Sequence, residues 1–213
     1  MSSSSARKFE KPGKIVIISS PSGGGKTSIC KALLSGSRLK QGWRFSVSYT
    51  TRRKRNGEKN GREYFFVTEK EFDKKVRKAF FAEHFKVHLY EYGTPRRPLD
   101  EVTSKGGVII LDVDVQGAEA IRRKFRHAIS IFVLPPSVRE LRHRLRRRGT
   151  ETKEQLQVRF ENAKREMREY KKFPYTVINK DLPTAVEQVL AIIKAHPCRT
   201  EYIMKEQIKK IIG

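Results

Sequence analysis

Four short apolar runs rich in β-branched residues punctuate the chain: Lys14–Ser19 (KIVIIS), Val108–Asp112 (VIILD), Ile129–Leu134 (ISIFVL) and Tyr175–Asn179 (YTVIN). Continuous runs of this length suit strands buried on both faces. Helix signals lie between them. Thr68-x-x-Glu71, Ser137-x-x-Glu140 and Thr152-x-x-Gln155 fit capping boxes, in which side chains satisfy the orphan backbone N–H groups of a first turn. A helix is expected from Ser28 to Leu34, directly after the first run. After Pro183, Val186, Val189, Leu190 and Ile193 fall at i, i+3, i+4 and i+7 and predict a helix with one apolar stripe. The order strand, helix, insertion, strand, helix, strand, helix, helix, strand, helix predicts an α/β fold, a parallel sheet flanked by helices with right-handed crossovers.

The ends read differently. The Ser-rich start, residues 1–12, is expected to be disordered, and a tail follows Pro197. Within it Ile208, Ile211 and Ile212 have helical spacing and could pack on the domain or on another subunit, which leaves a homodimer open. A chain of 213 residues suits one domain with one or two insertions. With 37% hydrophobic and 33% charged residues it can bury a core. No apolar run approaches the roughly 20 residues of a membrane span and no signal-peptide apolar segment opens the chain, so no membrane partner and a cytoplasmic location are expected. Cys30 and Cys198 lie far apart with no Cys-x-x-Cys, which argues against a disulfide framework or a zinc site. The balance of 47 Lys+Arg against 23 Asp+Glu gives +24 and attraction to anions in general. Nucleotides, nucleic acid and acidic lipid all remain open on charge alone, as does a merely solvated basic surface; no nucleic-acid-binding motif is present, so no specific nucleic-acid partner is expected.

The segment Ser20-Pro21-Ser22-Gly23-Gly24-Gly25-Lys26-Thr27 follows a buried strand and precedes a helix, the setting of a P-loop. Glycines let successive N–H groups turn inward, the helix N-terminus adds positive partial charge, and Lys26 can reach β- and γ-phosphates while Thr27 can ligate Mg²⁺. A nucleoside triphosphate with magnesium is the inference. Ser20 stands where the motif opens with glycine, which is compatible if Ser20 needs no left-handed φ. Asp112 ends the strand VIILD at the edge where open α/β sheets place ligands, and reads as a carboxylate holding Mg²⁺ directly or through water. Asp114 could face the same crevice; a strand-end turn is the alternative for either acid.

An insertion then opens with FSVSYTTRRKRNGEKNGREYFFV (Phe45 to Val67), interleaving hydroxyls, arginines and two Asn-Gly turns, a mix suited to a phosphate and a polar base. This stretch, with Glu83, Tyr92-Gly93-Thr94, ILDVDVQG (Ile110 to Gly117) and PPS…RLRRRGTET (Pro135 to Thr152), closely resembles guanylate kinase, over Gly13 to Ala195. The resemblance implies ATP-dependent phosphorylation of GMP on a P-loop NTPase-type core (13–44, 100–138 and 166–196) with a GMP-binding insertion (45–99), a helical lid (139–165) and a separate tail (197–213). It implies that Ser22, Gly23, Gly24, Gly25, Lys26, Thr27, Ser28 and Asn179 bind ATP and magnesium, the metal on Thr27 and Asp112. It places Arg52, Arg55, Tyr64 and Tyr92 on the GMP phosphate, Ser48, Glu83 and Thr94 on guanine, with Gly93 and Asp114 beside them. Arg144, Arg148 and Arg159 become lid arginines that act with Lys26, Arg52 and Asp112 in catalysis. The chemistry agrees: guanidinium forks match phosphate oxygens, and a carboxylate can accept both N1–H and the exocyclic amine of guanine. Lys54 stands between the two phosphate arginines where the family often has proline. Two other readings share these motifs: a scaffold domain that has lost activity, which the intact Gly-Lys-Thr and arginines oppose, and a P-loop kinase with another acceptor.

Overall fold

The computed structural model describes residues 13–87, 89–147, 152–203 and 205–212, so the disorder expected for residues 1–12 lies outside the described residues. In chain order the first elements are β1 (Lys14–Ser19), α1 (Lys26–Leu33), α2 (Ser37–Lys40), β2 (Trp43–Ser46), β3 (Tyr49–Thr50), β4 (Phe65–Phe66) and α3 (Glu69–Arg77). There follow β5 (Phe81–Val87), β6 (Tyr90–Pro95), α4 (Arg96–Lys105), β7 (Val108–Asp112), α5 (Val115–Lys124) and β8 (Ile129–Leu134). The last are α6 (Val138–Arg146), α7 (Lys153–Met167), β9 (Tyr175–Ile178), α8 (Leu182–Ala195) and α9 (Lys205–Ile212).

A five-stranded sheet in the order β2-β7-β1-β8-β9 is parallel throughout. Because side chains alternate across a strand, its apolar runs feed two cores. Val16, Ile18, Ile110 and Ile131 meet Ile29 and Leu33 of α1 and Val189 and Ile193 of α8 on one face. Ile15, Ile17, Ile109 and Phe132 meet Leu99 of α4 and Ile121 of α5 on the other. A third cluster joins Leu141 and Leu145 of α6 to Phe160 and Ala163 of α7. The insertion forms its own four-stranded sheet, β4-β3-β6-β5, with β3 parallel to β4 and antiparallel to β6.

All four predicted strands are present, and β2 is an unpredicted fifth. Its four residues contain an exposed Arg44 and only Ser46 is buried, so they show no continuous apolar run; pairing of Trp43 with Val108 makes them a strand. Asn179 falls just after β9, not in it, with its N–H on Leu134 O at 2.8 Å. The first helix begins at Lys26, two residues before expectation, because Gly25 at φ 96° turns the chain directly into it. Thr68 and Thr152 form full capping boxes. Ser137 accepts from Glu140 N, but the Glu140 carboxylate turns away to Arg144 Nε at 2.8 Å, so only half of that box forms. The tail helix forms as its spacing predicts, yet Ile211 and Ile212 stay 78% and 75% exposed. The junctions expected at 44/45, 99/100, 138/139 and 165/166 fall inside β2, α4, α6 and α7.

Candidate active site

β7 and β8, joined through α5, flank β1 on opposite sides, which opens a crevice at the C-terminal ends of the strands. A cleft of about 1360 Å³ lies there, lined by the loop after β1, the end of β7, the start of α5, the insertion and α7. Gly23 and Gly25 have φ of 86° and 96°, values an L side chain resists, and Ser20 does not share that conformation. A glycine there is therefore not required.

Lys26 Nζ lies 2.6 Å from Asp112 Oδ1, and Thr27 Oγ1 donates to Asp112 Oδ2 at 3.2 Å. Burial works against the lysine charge, but the Asp112 carboxylate outweighs it and holds the ammonium above the ordinary lysine range. Cys30, one turn into α1, is buried, and burial followed by the Asp112 charge pushes its thiol above the ordinary range, leaving it unreactive. Asn179 is buried and reaches back from β9 to donate Nδ2 to Gly24 O at 3.2 Å, while Arg144 Nη2 donates to Asn179 O at 3.0 Å. Arg159 Nη2 donates to Ser22 Oγ at 2.9 Å. Ser28 lies open on the cleft wall.

Facing this cluster, the insertion supplies a second cationic group. Arg52 is 9% exposed, bonded through Nη2 to Glu58 Oε1 and Oε2 at 2.8 and 3.0 Å, with its guanidinium 5.6 Å from the Tyr64 ring centroid. Arg55 is exposed to the cleft and ties its N–H to Glu58 Oε2 at 2.8 Å. The Tyr64 and Tyr92 rings meet edge-on with centroids 5.9 Å apart. Burial raises the Tyr64 hydroxyl above its ordinary value, against the nearby Lys26 charge, so it stays a neutral donor. Lys54 is exposed and leaves these contacts intact.

A third group lies behind the cleft wall. Glu83 is 4% exposed; Thr94 Oγ1 donates to its Oε1, and Oε2 is buried with no hydrogen-bond partner. Burial pushes the carboxyl up to about 7, with Asp114 adding to the rise. Asp114 caps α5 by accepting Gly117 N–H at 2.9 Å, and burial raises its carboxyl too. Gly93 packs so closely on Phe81 that a Cβ would lie 2.8 Å from Cδ1 of that ring. Ser48 lines the cleft wall. Of the expected residues, Arg148 lies outside the described residues. Arg144, Arg159, Asn179, Glu83, Gly93 and Thr94 are not part of the cleft lining, Gly24 shapes the loop, and the others line the cleft.

The guanylate kinase family profile matches residues 12–196. The chain belongs to the guanylate kinase family. It is 42% identical over 191 residues to a guanylate kinase of Clostridium tetani, covering 90% of each chain. It is 43% identical over 198 residues to one of Syntrophotalea carbinolica, covering 93% of each. The crystal structure of guanylate kinase from Anaplasma phagocytophilum superposes with a TM-score of 0.72 at 31% identity, covering 89% of both chains. Two acids in this family member's cleft escaped sequence reading. Glu58, which holds Arg52, lies in the same motif three residues after Arg55; Glu166, which accepts Ser22 N–H at 2.9 Å, lies two helical turns after Arg159. The turn spacing was the available signal for both.

Proposed function

We propose that the chain transfers the γ-phosphoryl group of ATP to GMP, giving ADP and GDP. The observation that carries this reading is one cleft holding two cationic clusters, Lys26 on the phosphate loop and Arg52 with Arg55 on the insertion, beside a buried carboxylate with a free oxygen. In this reading Arg52, Arg55, Tyr64 and Tyr92 hold the GMP phosphate, and Ser48, Glu83 and Thr94, shaped by Gly93 and Asp114, take the base. Gly23, Gly24, Gly25, Ser22, Lys26, Thr27 and Ser28 hold the ATP phosphates, and Asn179 acts on them by bracing the loop. An oxygen of the GMP phosphate attacks the γ-phosphorus in line while the bond to the β-phosphate oxygen breaks and ADP leaves with that electron pair. No covalent intermediate or general base is needed; positioning and charge carry the step.

Thr27 and Asp112 present adjoining hydroxyl and carboxylate oxygens, the donor type a hard cation takes beside substrate phosphates, so the site fits Mg²⁺. A magnesium ion held there would offset negative charge on the substrate phosphates. Lys26 answers the same charge from the loop, and Arg144, Arg148 and Arg159 answer it from the lid. The lobes at 45–99 and 139–165 would close over the substrates and exclude water. A cytoplasmic setting agrees with two free cysteines, and α9 with its exposed isoleucines is the element through which a homodimer would form.

Lys26→Ala tests the assignment. Transfer is expected to fall by about 10³-fold or more while the cooperative melt persists; Asp112 loses its cation but keeps the Thr27 hydroxyl and some solvent, so the stability loss stays under the roughly 3–5 kcal/mol of a fully buried pair. Turnover within a few-fold of the unaltered chain would overturn it.

A further inference from the structure

The N–H and the hydroxyl of Ser22 are both gripped by one helix. Its N–H donates to Glu166 Oε2 at 2.9 Å and its Oγ accepts from Arg159 Nη2 at 2.9 Å. Arg159 and Glu166 are seven residues apart on α7, two turns on one face, so the helix touches the loop at two points with opposite charges. A carboxylate beside a phosphate loop opposes the binding of a triphosphate. Its place on an N–H, in a charge-assisted bond, gives it a different use: it fixes where α7 lies against the loop.

We propose that Glu166 is a positioning residue, clasping Ser22 so that α7 docks on the phosphate loop at one depth and holds the Arg159 guanidinium at the transferring phosphoryl group. This rests on the proposed kinase reading and on Arg159 meeting that group. Glu166 acts through Arg159 and touches no reacting atom. The alternative is that the carboxylate stands in for a phosphate and competes with it.

Turnover, KM for GMP, ATP affinity and melting are measured in Glu166→Gln, Glu166→Ala, Arg159→Ala and the Glu166→Ala/Arg159→Ala pair. Glu166→Ala is expected to lower kcat by about 10- to 100-fold, the scale of a roughly 1 Å misplacement. KM for GMP should stay within about twofold. Glu166→Gln, whose amide oxygen still accepts the Ser22 N–H, should recover most of the loss. In the Arg159→Ala background the Glu166→Ala loss should shrink to about threefold or less, because the group it positions is gone. Additive losses in the pair, or ATP bound more tightly by Glu166→Gln, would overturn the clasp. So would a lowered melting point with kcat intact. If Arg159→Ala alone leaves kcat unchanged, the role of Arg159 in the kinase reading fails; if Arg159→Ala is severe and Glu166→Ala is harmless, only the clasp fails.

Discussion

Glu83 brings two carboxyl oxygens into the interior, and only Oε1 meets a donor, the Thr94 hydroxyl. Burial lifts the group to about 7, above the unfolded value of 4.5. Between those values the folded chain keeps a proton that the unfolded chain releases, so this residue's stabilising contribution is present at acid pH and is lost as pH rises through about 7. Glu83→Gln should flatten that slope in denaturant titrations across the same window. Guanine offers two donors, and both favour the ionised carboxylate. GMP binding should therefore release up to about one proton near pH 6.5, visible as a binding heat that varies with buffer ionisation enthalpy. A buffer-independent heat, or an unchanged one in Glu83→Gln, would contradict the base-reading role. The residue types of this site were legible because each sits in a long motif. What the motif could not show was the partner of each: that Arg52 is held by Glu58 depends on how the turn between them folds, and that Asn179 braces Gly24 depends on a contact between segments far apart in sequence.

The phosphate loop is where backbone and side chains constrain one another. Gly25 has φ 96°, and a Cβ there would lie 2.2 Å from Asn179 Nδ2, the atom that donates to Gly24 O. Gly25→Ala should cost about 1–2 kcal/mol of left-handed strain and roughly 1 kcal/mol more from the displaced hydrogen bond, read by urea unfolding, together with weakened ATP binding. Gly36 separates the two effects, since it has φ 68° with nothing within 4 Å of its would-be Cβ. Gly36→Ala should lose stability and keep ATP affinity; equal losses of affinity in both would contradict the bracing account. The long apolar strands and the Thr68 and Thr152 caps were legible from local pattern. β3 and β4, two residues each, were not, because a period of two needs more residues than that to show.

At the scale of the molecule, alternation of strand and helix prescribes the parallel sheet, and the sheet order brings loops from β1, β7 and β9 to one edge. The second sheet, built within the insertion, faces that edge with its own cations, so one cleft is lined by both cationic groups. The net charge of +24 favours capture of any anion and does not choose among them. The choice rests with the groups inside. The decisive measurement is coupled ADP production from ATP and Mg²⁺ with GMP, AMP, CMP and UMP offered in parallel. Turnover with GMP should exceed that with each of the others by about 10⁴-fold, the discrimination expected when a site's buried hydrogen-bonding groups go unmatched. Comparable rates with AMP, or no turnover with GMP, would contradict the account.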